Sequence, residues 1–153
     1  MIGSKIQNLI LIRLIFLKFI LISHVLISSK KLAKELIAVA AKSGADAVKF
    51  QTFKAENLVS KTAKKADYQK KTTDVLESQF DMIKKLELDV NTHKELLVYC
   101  QEKGIMFLST PFDHDSINLL SDLGLQTFKI PSGEITNLPY LRHIGSLGKK
   151  VVL

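Results

Sequence analysis

Residues 30–53 read KKLAKELIAVAAKSGADAVKFQTF, and this stretch decides the architecture. Its first half carries Leu32, Leu36, Ile37, Val39 and Ala40, a spacing that predicts a helix with one buried face and Gly44 as its C-terminal stop. Its second half, ADAVKFQTF, is a short β-branched and aromatic run that predicts a strand. The same alternation continues outward. Residues 76–86 and 90–103 read as helices, the second with Asp89 as N-cap and Gly104 at its end. IMFLST (105–110) reads as a strand, and Asp113 caps a helix through SINLLSDL. QTFKIP (126–131) is a third strand, Asn137 caps a helix through LPYLRHIG, and KKVVL begins a fourth strand. Strands separated by helices argue for an α/β fold of parallel βαβ units.

Length and composition agree with about one domain. The 153 residues are 46% apolar and 24% charged, which excludes a disordered, collagen-like or low-complexity chain. Lys and Arg number 22 against 15 for Asp and Glu, so the net charge is 22 − 15 = +7. That basic charge comes without an aromatic stacking pattern, so no nucleic-acid partner is implied. The single cysteine, Cys100, excludes a disulfide scaffold, fits a reducing compartment and reads as a small core residue. His93 is expected on a helix surface, and His143 near a helix C-terminus. His114 follows a strand end, but no second ligand is spaced to support a metal there, so no metal site is assigned within this chain.

The chain divides near residue 29, into an atypical apolar segment (1–29) and an orderly domain (30–153). Residues 9–27, LILIRLIFLKFILISHVLI, are long enough for a membrane span. Arg13 and Lys18 oppose that reading, since a charge at mid-helix costs about 2.5–3.5 kcal/mol on insertion scales. Three readings stay open: a membrane-associated helix, a buried strand with an extension, or a stretch not native to the protein.

Chemistry gathers where the strands end, the place where parallel α/β folds build their sites. Side chains alternate along a strand, so Lys49 and Gln51 share one side while Val48 and Phe50 face covering helices. The second strand ends in Ser109, Thr110 and Pro111. The third carries Lys129 in step with Thr127 and Pro131, followed by Ser132, Gly133 and Glu134. Lysines on otherwise apolar strands are costly to bury without counter-charge, which points to an anionic ligand such as a phosphate or carboxylate. The alternative is that each lysine snorkels to solvent and Glu134 only neutralises one of them. Beside the cations, Glu134 could ion-pair with Lys129, orient a substrate hydroxyl or move a proton. The connection from Phe53 to Leu76 is long and carries Lys54, Lys61, Lys64, Lys65, Lys70 and Lys71; it reads as a solvated loop or as a lid over the same end.

ADAVKFQTFKAENLVS, IMFLSTPFD and FKIPSGEITNLPYL, in this order and spacing, resemble the sialic acid synthase family, which includes N-acetylneuraminate, legionaminate and pseudaminate synthases. The likeness runs from about Leu32 to Leu153. It implies a (β/α)8 barrel, of which this chain holds about the first four to five βα units. It also implies condensation of phosphoenolpyruvate with an N-acylated aldose such as N-acetylmannosamine in surface-carbohydrate biosynthesis. Matched by motif, Lys49, Thr110, Lys129 and Ser132 would hold phosphoenolpyruvate, and Gln51 and Glu134 would lie near the sugar and the reacting carbons. Lys129, Glu134 and Gln51 are the catalytic candidates. The family uses a divalent metal, Mn²⁺ or Mg²⁺, whose ligands would lie outside this chain. Its members form homodimers, and a cytoplasmic location is expected, with membrane association through 9–27 as the alternative. SGEITN is closer to the neuraminate and legionaminate branch than to the pseudaminate one.

Two departures stand out. Family members open with a strand like AEIGxNHNG, where this chain has FILISHVLISS (19–29). The later strands, the metal-binding histidines and the C-terminal antifreeze-like domain have no counterpart here. The expectation is therefore a first half of a synthase, without turnover on its own. The competing functions are another phosphoenolpyruvate-using aldulosonate synthase and a non-catalytic, membrane-attached barrel remnant.

Overall fold

The computed structural model describes residues 19–21, 30–63, 65 and 77–153. Its elements run β1 (Phe19–Leu21), α1 (Lys30–Lys42), β2 (Ala47–Thr52), α2 (Ala55–Leu58), α3 (Gln79–Lys84), α4 (Val90–Glu102), β3 (Met106–Pro111), α5 (His114–Asp122), β4 (Thr127–Lys129), a 3₁₀ turn (Ser132–Glu134), α6 (Leu138–Ser146) and β5 (Lys150–Val152). Strands β1, β2 and β3 form one parallel sheet in that order, and β4 pairs with β5, also in parallel. β4 lies against β3, so the strands follow one another in chain order. The α/β alternation read from the sequence is present.

Local chemistry explains the helix boundaries. Asp89 accepts from the Thr92 N–H at 2.6 Å, Asp113 from Ser116 at 2.8 Å and Asn137 from Tyr140 at 3.3 Å. Each satisfies a backbone donor that the first helical turn leaves free. Gly44, at φ 73°, closes α1 in a conformation that other residues adopt only with strain. The region expected as an uninterrupted loop after Phe53 instead begins with α2. Lys65 is buried there and pairs with Glu77 at 3.2 Å, so it is no solvated loop lysine. Lys64, Lys70 and Lys71 lie outside the described residues, as do residues 9–27 apart from β1. No described helix is long and apolar enough to cross a membrane.

The core lies between the sheet and its helices. α1 contributes Ala33, Ile37 and Ala40, at spacings of four and three residues. Val39, expected on that face, is 60% exposed. The buried stripe is centred on two alanines, which let the helix approach the sheet closely, and Val39 falls about 100° round the helix from Ala40. Against α1 and α4 pack Val48 and Phe50 of β2 and Phe107 of β3; the Phe50 and Phe107 rings stack at 5.1 Å. Cys100 is buried among them, and burial pushes its thiol up to about 12.

His93 corrects another expectation. It is fully buried, because His93, Leu96 and Cys100 recur at helical spacing on the inner face of α4. Its Nδ1 lies 2.9 Å from the Asp89 carbonyl, so that nitrogen carries the proton. Nε2 then accepts from the Thr52 hydroxyl at 2.8 Å, and Thr52 Oγ1 accepts from Ser109 at 2.7 Å. One polar chain thus joins α4, β2 and β3 through the neutral imidazole. Burial, more than any other influence, holds the His93 pKa below its ordinary value.

Because the folded state disfavours the imidazolium, this contribution to stability is complete above the ordinary histidine pKa of about 6.5 and declines as pH falls below it. The urea midpoint is expected to drop between pH 7.5 and 5.5, a window above the carboxylate titrations. His93→Gln, which takes up no proton, should flatten that drop; parallel profiles for the two proteins would contradict the assignment.

Candidate functional site

Two strand faces are used differently. On β2, Val48, Phe50 and Thr52 are buried toward the helices, while Lys49 and Gln51 are half-buried on the opposite face. The register pairs Lys49 with Leu108 and Gln51 with Thr110, and laterally paired residues share a face. Thr110 is therefore on the lysine side, and Ser109 on the helix side. On β4, Phe128 is buried toward the helices, leaving Thr127 and Lys129 on the other face.

This arrangement brings Lys49, Thr110 and Lys129 together. The Lys49 ammonium lies 3.5 Å from Thr110 Oγ1, at the outer limit for a hydrogen bond. Burial lowers the Lys49 pKa first, and repulsion from Lys129 lowers it further. Such repulsion requires the two cations to occupy one neighbourhood. The Lys129 ammonium donates to its neighbour's carbonyl, Ile130 O, at 2.6 Å. Neither lysine has a carboxylate within 4.0 Å in the described ion pairs. A half-buried pair of like charges without a protein counter-ion is suited to an anion.

The other candidates have their own surroundings. Gln51 lines a recess with Phe53, Leu58, Met82, Ile83, Leu86 and Phe112. Ser132 is exposed in the 3₁₀ turn that follows β4. Glu134 does not pair with Lys129; its Oε2 accepts from Asn137 Nδ2 at 2.6 Å. The rim is braced by links between loops. The Lys54 N–H donates to Asp113 Oδ2 at 3.0 Å, and Asn57 donates to Asp115 at 3.2 Å, joining the segments after β2 and β3. The buried Tyr140 hydroxyl donates to Pro111 O at 2.8 Å, tying α6 to the end of β3. Burial, with Glu134 and Asp113 nearby, raises the Tyr140 pKa, so the phenol stays a donor.

Sequence reading missed three partners. Thr52 was detectable in principle, since it alternates in phase with Val48 and Phe50 and a polar group on that face needs a partner. Tyr140 gave no such signal, because its contact depends on how α6 packs; Asn137 was legible as a cap, and only its bond to Glu134, three residues away, was not read. His114 does have a histidine neighbour: its Nδ1 is 2.7 Å from His143 Nδ1, with ring centroids 5.0 Å apart. The two are 29 residues apart in the chain, so spacing could not reveal them. One of the two facing nitrogens donates to the other, and among the described residues no three His, Cys, Asp or Glu side chains converge as a metal site.

Comparison with known proteins gives this geometry a context. The sequence profile of the NeuB family matches residues 36–153. The N,N'-diacetyllegionaminic acid synthase of Campylobacter jejuni is 62% identical over 122 residues, 80% of this chain and 36% of that protein. The synthase of the same name from Legionella pneumophila is 53% identical over 116 residues, 76% of this chain and 33% of that protein. Among solved structures, the N-acetylneuraminic acid (sialic acid) synthetase of Leptospira borgpetersenii, in complex with citrate, superposes with a TM-score of 0.66 at 28% identity. That match covers 80% of this chain and 38% of the other. The chain spans about a third of the length of the curated relatives it matches.

If Lys49 and Lys129 share one neighbourhood, Lys129→Met should raise the Lys49 titration midpoint, read from its side-chain nitrogen by NMR. Recovery should be partial, since burial is the larger cause. An unmoved midpoint would mean that the ammonium groups are too far apart to act on one ligand.

Proposed function

The chain belongs to the NeuB family, and on that premise we propose that it carries the phosphoenolpyruvate-binding part of a synthase that joins phosphoenolpyruvate to an N-acylated aldose. The product would be a nonulosonate of the legionaminic or neuraminic acid type. The carrying observation is the Lys49–Lys129 pair, half-buried beside Thr110 and without a counter-ion among the described residues. Phosphoenolpyruvate has two anionic groups, a phosphate and a carboxylate, for two cations. The legionaminic branch is favoured because both curated relatives described above are N,N'-diacetyllegionaminic acid synthases.

In this reading Lys49 and Lys129 hold the anionic groups, and the Thr110 and Ser132 hydroxyls donate to their oxygens. Gln51 and Glu134 face the sugar, with the Glu134 carboxylate accepting from a hydroxyl or taking a proton. Carbon 3 of phosphoenolpyruvate attacks the sugar aldehyde, water adds at carbon 2 and phosphate leaves. The scaffold is a partial (β/α)8 barrel, whose βα units deliver these groups from successive strand ends. The divalent metal of the family does not fit the described residues, where no three ligating side chains converge, so no step is routed through it.

Calorimetry with phosphoenolpyruvate tests the assignment directly. Lys129→Ala should weaken binding by about tenfold or more, as expected for losing a hydrogen-bonded charge. Lys31→Ala, on the 87% exposed side chain of α1, should leave affinity within about twofold, since exposed charges contribute little. Equal losses in both variants would reduce the effect to general electrostatics and count against a specific site.

A further inference from the structure

The acid that follows Lys129 in the chain is held by another partner. Glu134 sits five residues after Lys129, at the end of the 3₁₀ turn, and pairing with Lys129 is one of the roles its position in the chain leaves open. Instead Glu134 Oε2 accepts from Asn137 Nδ2 at 2.6 Å, a short, charge-assisted bond. The orientation of the Asn137 amide is set by a second bond. Its Oδ1 accepts from the Tyr140 N–H at 3.3 Å as the N-cap of α6. With the oxygen committed to the helix, the amide nitrogen is directed at Glu134. Helix α6 is itself anchored, because Tyr140 is buried and donates to Pro111 O next to Thr110. Among the described residues, the Lys129 ammonium donates to a neutral carbonyl, Ile130 O.

We propose that Asn137 is a positioning residue that keeps the Glu134 carboxylate from neutralising the Lys49–Lys129 pair, so that both ammonium groups stay available to an anionic substrate. This rests on the reading of that pair as the phosphoenolpyruvate site. Capping and positioning are separable functions of one side chain. Serine caps a helix about as well as asparagine but has no amide donor to hold a carboxylate. In Asn137→Ser, α6 keeps its cap while Glu134 is released toward the nearest cations.

The experiment is a cycle of Asn137→Ser, Glu134→Gln and the double variant, each measured for melting temperature and phosphoenolpyruvate affinity. Asn137→Ser should melt close to the parent yet bind about fivefold more weakly, the scale of one charge-assisted contact. The double variant should recover the affinity of Glu134→Gln alone, because the neutral amide no longer competes for Lys129. Failure of that rescue, or unchanged affinity in Asn137→Ser, would overturn the proposal. A ligand-free arm separates it from the reading it rests on. The Lys129 ammonium nitrogen signal should respond to Glu134→Gln only when Asn137 is replaced; a response of equal size in both backgrounds also overturns it. Should the parent chain not bind phosphoenolpyruvate, the substrate assignment fails, and this spectral comparison still decides what Asn137 does.

Discussion

Two half-buried ammonium groups on strands β2 and β4, without a carboxylate partner among the described residues, form the constraint around which the rest is arranged. Like charges in such a setting repel and lose hydration, and the depressed Lys49 pKa records both effects. The strands cannot relieve this by turning, because β2 is fixed by register to β3 and by burial of Val48 and Phe50 behind it. Lys129 is fixed in the same way by Phe128. An arrangement that is unfavourable alone would become favourable if a dianion supplied the missing charge.

The opposite face of the same strands supplies the rigidity. Thr52, Ser109 and His93 form a buried hydrogen-bond chain directly behind the residues that carry Gln51 and Thr110. Every member is satisfied, down to the Asp89 carbonyl, so the chain fixes the relation of α4 to β2 and β3 without an orphaned polar group. Stacked Phe50 and Phe107 fill the space beside it. Alternation along a strand thus places an apolar and hydroxyl-bearing side against the helices and a cationic side toward the ligand end. The loops that follow are cross-tied by Asp113, Asn57 and Tyr140, so the rim is as well braced as the sheet.

Glu134 shows how a loop residue modulates that rim. The sequence left pairing with Lys129, orienting a hydroxyl or moving a proton open to it, and its partner in the structure is Asn137. The same asparagine caps α6, so one side chain couples the start of a helix to the placement of an acid.

From the sequence alone came the α/β order, the caps at Asp89, Asp113 and Asn137, and the face shared by Lys49 and Gln51. These follow from local rules: helix periodicity, strand alternation and the free donors of a first helical turn. The resemblance carried by KFQTF, STPFD and KIPSGEITN reached the family as well, and the NeuB profile over residues 36–153 agrees with it. What remained hidden were relations between distant segments. Val39 turned outward and His93 inward because the contact stripes of α1 and α4 are set by the packing of helix on sheet, which hydropathy only approximates. The His114–His143 contact and the Tyr140 anchor depend on where α5, α6 and the end of β3 meet in space. Local pattern determines which groups a strand or turn can offer; only the assembled sheet and helices decide which of them come within hydrogen-bonding distance, because those distances are products of packing between segments far apart in the chain.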